Sequence, residues 1–289
     1  MINTVPAPRF TYDPETGAPE GAKAAWEEAG CLILEGFVSE QACDNLMAAA
    51  DRLSRELVEA ADGHAFDAVD NQHADEDYFL SSGDVMRAFM EERVEGVDRV
   101  RAVNKLGHAM HDLDPVFDRF SRSPELAEAA KRIGFVEPAL LQSMYIFKPP
   151  NIGGEVICHQ DSTYIYTEPE SCVGFWFALE DATIENGCMQ FIPGGHKLPL
   201  KKRNYRGANG KLVTETLDDT PWPEEQKVPV EAKAGTLVIF DGRAPHMSAA
   251  NRSPKSRHAY TLHVIDQNCR YPAKNWLQRS ADLPLRGVE

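Results

Sequence analysis

The sequence predicts a mainly β protein with flanking helices, its core a double-sheet sandwich of jelly-roll type. Three observations carry that prediction. Residues 136–270 are a series of short segments rich in β-branched and aromatic side chains. Gly, Pro and Asn turns separate them, as in a many-stranded antiparallel fold. The first half is instead Ala- and Glu-rich, with helical periodicity and N-cap residues, so helices are expected outside one sheet. No internal repeat and no linker divides the chain, and residues 1–289 are read as a single domain.

In chain order, residues 1–20 have no apolar run and read as a loose lead-in, not a signal peptide. Residues 21–135 are expected to be mostly helical support and 136–270 the jelly-roll core. "CLILEGFV" (31–38) is a short buried strand. Ser39 caps a long helix that places Ala42, Leu46, Ala50, Leu53 and Leu57 along one side. Residues 62–77 are acidic, aperiodic and carry His64 and His73, which predicts an exposed loop with solvated histidines. Helix is expected again over 112–133, with Ser123 at a cap and Pro124 in the first turn. The strand-like segments are "ALLQSMYIFKPP", "EVICHQD", "CVGFWFALED", "GCMQFIPGGH", "VPVEAKAGTLVIFD" and "RHAYTLHVID".

Charge narrows the function classes. Thirty basic residues stand against 45 acidic, a net −15. That excess argues against nucleic acid or an anionic membrane as partner, since both are bound through positive charge. It leaves a small-molecule substrate open. The six cysteines (Cys31, Cys43, Cys158, Cys172, Cys188, Cys269) show no CxxC or zinc-like spacing. Reduced thiols in a cytoplasmic protein are the expectation. No window reaches the ~18 apolar residues of a membrane span.

"ICHQDSTYIY" (157–166) carries the chemistry. In a strand, His159 and Asp161 point to the same face. Taken alone, such a pair is more often a hydrogen-bonded surface pair than a metal site. Far downstream, His246 follows an apolar strand and a tight turn. Two histidines and one carboxylate on one face of a metal form the ligand set of non-haem Fe(II) oxygenases, with three positions open. Eleven residues on, Arg257 offers a planar guanidinium suited to gripping a carboxylate. In combination the four are far more specific than any one of them.

The chain resembles the phytanoyl-CoA dioxygenase family of Fe(II)/2-oxoglutarate oxygenases. The matching stretches are "DYFLSSGD" (77–84), "NKLGHAMHDLDPVF" (104–117), "QSMYIFK" (142–148), "GGEVICHQDSTYIYTEP" (153–169), "GFWFALEDATIENGCMQFIPGGHK" (174–197) and "RHAYTLHV" (257–264). The resemblance implies a double-stranded β-helix core, Fe(II), and 2-oxoglutarate and O2 as co-substrates. By position, the family's metal ligands fall on His159, Asp161 and His246. Its co-substrate residues fall on Arg257, Lys105, Met144 and Trp176, with Gln160 reaching the site through its backbone. Where the family often has Gly-Ser-His, this chain has Gly194-Gly195-His196. The intact Asp161 favours hydroxylation over halogenation, which needs a small residue there.

The other histidines read as structural. His108 and His111 are spaced to share a helix face, with His108 supporting the pocket near Lys105. His196 is expected to tighten its turn, and His258 and His263 to support the strand after Arg257. "KLPLKKRNYRGANGK" (197–211) holds six basic residues and no acid. It reads as a solvated loop, with an anionic substrate at the site mouth as the sharper alternative. Tyr145, Tyr164 and Tyr166 are candidates for a pocket wall, though strand aromatics are more often core. Three rival functions remain open: a metal- and 2-oxoglutarate-binding protein without turnover, a cupin-like Lewis-acid enzyme, and a hydroxylase of protein or nucleic acid, the last disfavoured for nucleic acid by the acidic balance.

Overall fold

The computed structural model describes residues 7–61, 76–91 and 96–288. The acidic segment bearing His64 and His73 lies outside them, apart from its last two residues. Helices are α1 (Ala22–Ala29), α2 (Glu40–Leu57), α3 (Glu76–Leu80), α4 (Met110–Leu113), α5 (Pro115–Ser121) and α6 (Pro124–Ile133). Strands begin with β1 (Arg9–Thr11), β2 (Cys31–Glu35), β3 (Met86–Met90), β4 (Val103–His108) and β5 (Pro138–Ile146). There follow β6 (Val156–His159), β7 (Val173–Ala178), β8 (Met189–Phe191), β9 (Lys202–Arg206) and β10 (Leu212–Thr216). The last are β11 (Val228–Val230), β12 (Leu237–Asp241), β13 (His246–Ser248), β14 (Ala259–Asp266) and β15 (Arg286–Gly287).

Among the described residues a large sheet runs β1-β2-β12-β7-β14-β5-β4-β3, with β15 also paired to β5. A smaller antiparallel sheet runs β11-β8-β13-β6. Alternation along the large sheet sorts its side chains into two layers. Leu32, Leu34, Phe175, Phe177, Leu237, Ile239, Tyr260 and Leu262 face the helices, where Leu46, Leu53, Phe117 and Leu126 join them in one core. Ile33, Trp176, Val238 and Phe240 face inward and meet Met189, Phe191 and Val230 of the small sheet. The result is the jelly roll with helices outside one sheet.

Several local expectations are refined. The helical half also supplies strands: β2 is inserted between β1 and β12, and β4 pairs with β5. The stretch 112–133 is not one helix, because Pro115 and Pro124 each start a new one. Asp114 caps α5 by accepting from Val116 N at 2.9 Å, and Ser123 caps α6 by accepting from Leu126 N at 3.3 Å. "VPVEAKAGTLVIFD" divides at Gly235 into β11 and β12, which belong to different sheets. The basic stretch is no bare loop but part of the β9–β10 hairpin. His108 ends β4 while His111 lies in α4, so the two do not share a helix face.

One buried charge ties the helical layer to the chain's end. Asp112 of α4 has a fully buried carboxylate that meets Arg122, Arg279 and Arg286. Arg122 approaches at 2.6 Å and Arg286 at 3.3 Å. Burial raises the Asp112 pKa, but His111 and Arg279 outweigh it and hold the carboxyl far below the usual range. Removing one partner of a buried charge network strands the others. Asp112→Asn is therefore expected to destabilise the fold by roughly 3–5 kcal/mol, seen as a lower urea midpoint with an unchanged slope.

Candidate metal centre

Strand pairing makes the site. β6 and β13 run antiparallel, and His159 and His246 are direct cross-strand neighbours. Their rings lie 4.3 Å apart, centroid to centroid. β6 stops at His159, so Asp161 is not a strand residue as the sequence pattern suggested. It opens a 3₁₀ turn (Asp161–Thr163) that swings its carboxylate back beneath both rings. His159 Nε2 lies 3.5 Å and His246 Nε2 3.7 Å from Asp161 Oδ1. One ligand atom from each of the three falls within 4.8 Å of the others. Ligands about 2.1 Å from a shared ion and at right angles stand roughly 3 Å apart, so the group is near coordination geometry without an ion.

Each histidine is set in the tautomer a metal needs. His159 Nδ1 donates to Ile157 O at 2.8 Å and His246 Nδ1 to Ala244 O at 3.0 Å. A carbonyl can only accept, so both Nδ1 atoms carry a proton, and Nε2 is the atom each histidine turns toward Asp161 and leaves for a metal. Burial, with His159 alongside, pulls the His246 pKa down to about 4, which keeps it neutral and ready to ligate. Burial raises the Asp161 pKa, but the surrounding histidines, His263 first among them, outweigh it and hold the carboxyl well below its usual range.

Two turns carry the ligands, and they are tied together. Ser162 N donates to Gly242 O and Gly242 N to Cys172 O, both at 2.8 Å. A Cβ on Gly242 would lie 2.7 Å from Cys172 O and Ser162 Oγ, so the approach requires glycine. Gln160, expected to reach the site through its backbone, has its side chain engaged elsewhere. Its fully buried amide donates to Arg243 O at 2.9 Å and Pro199 O at 3.3 Å, and accepts from Lys201 N at 2.9 Å. It staples the two ligand turns and is absent from the cavity wall. The side chain alternates away from the two ligands that flank it.

The ligands open into a cavity of about 290 Å3 between the sheets. The inner face of the large sheet forms its wall. Trp176, Thr261 and Met144 are consecutive cross-strand neighbours on β7, β14 and β5. One step along, His263 sits opposite Gln142; one step back, Ile146 sits opposite Lys105. Arg257, just before β14, is 2% exposed, and its Nε and Nη1 have no hydrogen-bond partner among the described residues. Burial lowers its pKa to about 10, which leaves it protonated at neutral pH. Burial alone brings the Lys105 ammonium down to about 7. Phe79, Tyr164, Ile165 and Trp276 supply an apolar side, while no residue of the basic stretch 197–211 lines the cavity. Within that stretch Lys201 pairs with Asp218 at 2.6 Å and Arg203 stacks on Tyr166. Tyr145 is core, and its hydroxyl is 2.8 Å from His258 Nδ1. His196 is anchored to its turn's neighbour by a contact of 3.1 Å from Nε2 to Glu27 O.

His263 is more than a strand support. Its Nε2 donates to Asp161 Oδ2 at 2.9 Å, which leaves only Oδ1 facing the two histidines. A clue lay in its six-residue spacing from Arg257, which shares its face, but the partner is 102 residues away. Partners of this kind typically affect metal affinity 10- to 100-fold. His263→Leu should weaken Mn(II) binding by about that factor while His263→Gln keeps most of it, as read by calorimetric titration.

Comparison with known proteins places this geometry. Residues 26–259 match the model of the phytanoyl-CoA dioxygenase (PhyH) family. A phytanoyl-CoA dioxygenase 1 of Oryza sativa subsp. japonica is 43% identical over 262 residues, 86% of this chain and 90% of that protein. A phytanoyl-CoA dioxygenase domain-containing protein 1 of Danio rerio is 38% identical over 279 residues, 90% of this chain and 94% of that protein. The fold is shared with the epimerase SnoN, solved in complex with Fe3+, alpha ketoglutarate and nogalamycin RO. That likeness has a TM-score of 0.63 at 16% identity and covers 92% of this chain and 97% of the other. The chain thus belongs to the phytanoyl-CoA dioxygenase family and is an Fe(II)- and 2-oxoglutarate-dependent oxygenase.

Proposed function

We propose that the protein hydroxylates a C–H bond of a small molecule while 2-oxoglutarate is converted to succinate and CO2. The observation that carries this reading is the pairing of two features in one cavity. A face of two imidazoles and one carboxylate lies near one end of the β14 wall, and a buried guanidinium with two nitrogens unpartnered among the described residues lies at the other. His159, Asp161 and His246 are the iron ligands in this reading. Fe(II), when bound, supplies the redox chemistry that couples oxidative decarboxylation of the keto acid to oxidation of the substrate.

The remaining roles belong to the chain's own groups. Arg257 holds the far carboxylate of 2-oxoglutarate through the nitrogens that otherwise lack partners. Trp176 and Met144 pack against its carbon chain. Lys105 adds charge from the β4 side. The apolar side formed by Phe79, Tyr164, Ile165 and Trp276 takes the reacting part of the substrate and excludes water. A cavity of about 290 Å3 favours a compact substrate, or the compact end of a larger one. Among the described residues no helix is long and apolar enough to cross a membrane. All six cysteines are unpaired, which suits a cytoplasmic location.

Succinate formation tests the reading. With Fe(II), ascorbate, air and 2-oxoglutarate, the protein should release succinate slowly without added substrate, and His246→Ala should abolish it. Release that persists in His246→Ala contradicts the assignment. Lys105 makes binding pH-dependent. Its pKa in the free protein is about 7, and a bound dicarboxylate raises it. Above pH 7 binding must therefore take up a proton. Affinity for 2-oxoglutarate should fall between pH 7 and 9, by up to about tenfold per unit for each lysine that takes up a proton, and Lys105→Gln should lessen that slope in calorimetric titrations.

A further inference from the structure

The cavity holds a third buried cation, which the roles above leave unused. Lys148 follows β5, lines the cavity and is 2% exposed. Its Nζ donates to Gly154 O at 2.7 Å and to Ser248 Oγ at 2.8 Å. No carboxylate lies within ion-pair distance of it among the described residues. Glu91 and Glu155 favour its charge from a distance but do not pair with it, so its burial remains costly. Lys148 also has a backbone φ of +41°, in the left-handed region. A long side chain sits there only when its surroundings demand it. Asn251, fully buried, makes the demand: its Nδ2 donates to the carbonyls of Lys148 at 3.0 Å, Pro149 at 3.2 Å and Lys255 at 2.7 Å. Burial and the nearby Arg257 bring the ammonium pKa down to about 7.

The direction of the Ser248 bond is fixed by chemistry. When Lys148 is protonated, as a bound carboxylate keeps it, its ammonium only donates, so Ser248 Oγ is the acceptor and its own O–H must point elsewhere. That O–H has no acceptor among the described residues. Ser248 is two residues beyond His246 on β13, so it shares the ligand's face, and it lines the same cavity as Arg257. A single carboxylate between them would satisfy both the hydroxyl and the orphaned guanidinium nitrogens. It would also relieve the repulsion between Lys148 and Arg257.

We propose that Lys148 is a positioning residue for the co-substrate. By donating to Ser248 it aims the Ser248 O–H at the distal carboxylate of 2-oxoglutarate, beside Arg257. The inference rests on reading the cavity as a 2-oxoglutarate site. It makes Lys148 a determinant of selectivity for a dicarboxylic keto acid over a monocarboxylic one.

The test is calorimetric titration of the Mn(II)-loaded full chain with 2-oxoglutarate and, separately, with 2-oxobutyrate, which lacks the distal carboxylate. Lys148→Met and Ser248→Ala should each weaken 2-oxoglutarate binding roughly ten- to hundredfold. Binding of 2-oxobutyrate should stay within about twofold of wild type, and the double variant should bind no more weakly than either single one. A merely structural role for Lys148 would disturb both keto acids alike. Full 2-oxoglutarate affinity in Lys148→Met, or losses that add in the double variant, would overturn the relay. Should Lys148→Met not fold, Ser248→Ala decides: wild-type discrimination between the two acids in that variant overturns it. A wild-type chain that binds neither acid overturns the underlying site reading, and the relay with it.

Discussion

The antiparallel pairing of β6 with β13 is the constraint on which the site depends. It sets His246 opposite His159, and everything else at the centre is arranged around that pair. The turn after β6 returns Asp161 to them, and the turn before β13 is bonded to it through Ser162 and Gly242. Gln160 crosses the same gap with its amide, and His263 reaches from the large sheet to hold the free carboxylate oxygen. Ligands on a strand end and two mutually bonded turns are held by backbone as well as by side chains. That is the rigidity a metal centre needs if three of its coordination positions are to stay open.

Buried charges of both signs line the cavity, Glu91 and Asp161 among them. The chain carries a net −15, yet Lys105, Lys148 and Arg257 are all buried along one small cavity. Burial in that low-dielectric space lowers the pKa of all three, and for Lys148 the neighbouring Arg257 lowers it further. A dianionic ligand offsets the cost of that burial more fully than a monoanion. The same burial that weakens the cations in the free protein strengthens their grip on a bound carboxylate, because little solvent screens it.

Much of this was legible in the sequence, for physical reasons. The alternation of Phe175, Trp176 and Phe177, or of Leu237, Val238 and Ile239, announces a strand buried on both faces. Ser39 and Ser123 mark helix starts because a hydroxyl must satisfy free backbone N–H groups. His159, Asp161, His246 and Arg257 were recognisable because few chemistries require that set in that order. What escaped was what depends on pairing at long range. β13 is too short to show periodicity, and β4 is masked by its polar Asn104, Lys105 and His108, so their places in the sheets follow from their partners. Gln160 looked like a site residue because it stands between two ligands, yet alternation turns it away from them. His263 looked like a strand support because nothing in its neighbourhood reveals Asp161, 102 residues earlier. Lys148 reads as an ordinary lysine before two prolines until its burial is known.

The central claim is that His159, Asp161 and His246 hold one Fe(II) with adjacent positions free for a keto acid. Visible absorption under anaerobic conditions tests it most directly, because Fe(II) chelated by 2-oxoglutarate shows a charge-transfer band that neither component shows alone. The account predicts a band that saturates at one Fe(II) per chain, requires both components, and vanishes in Asp161→Ala. No band with the wild-type chain, or an unchanged band in Asp161→Ala, would contradict it.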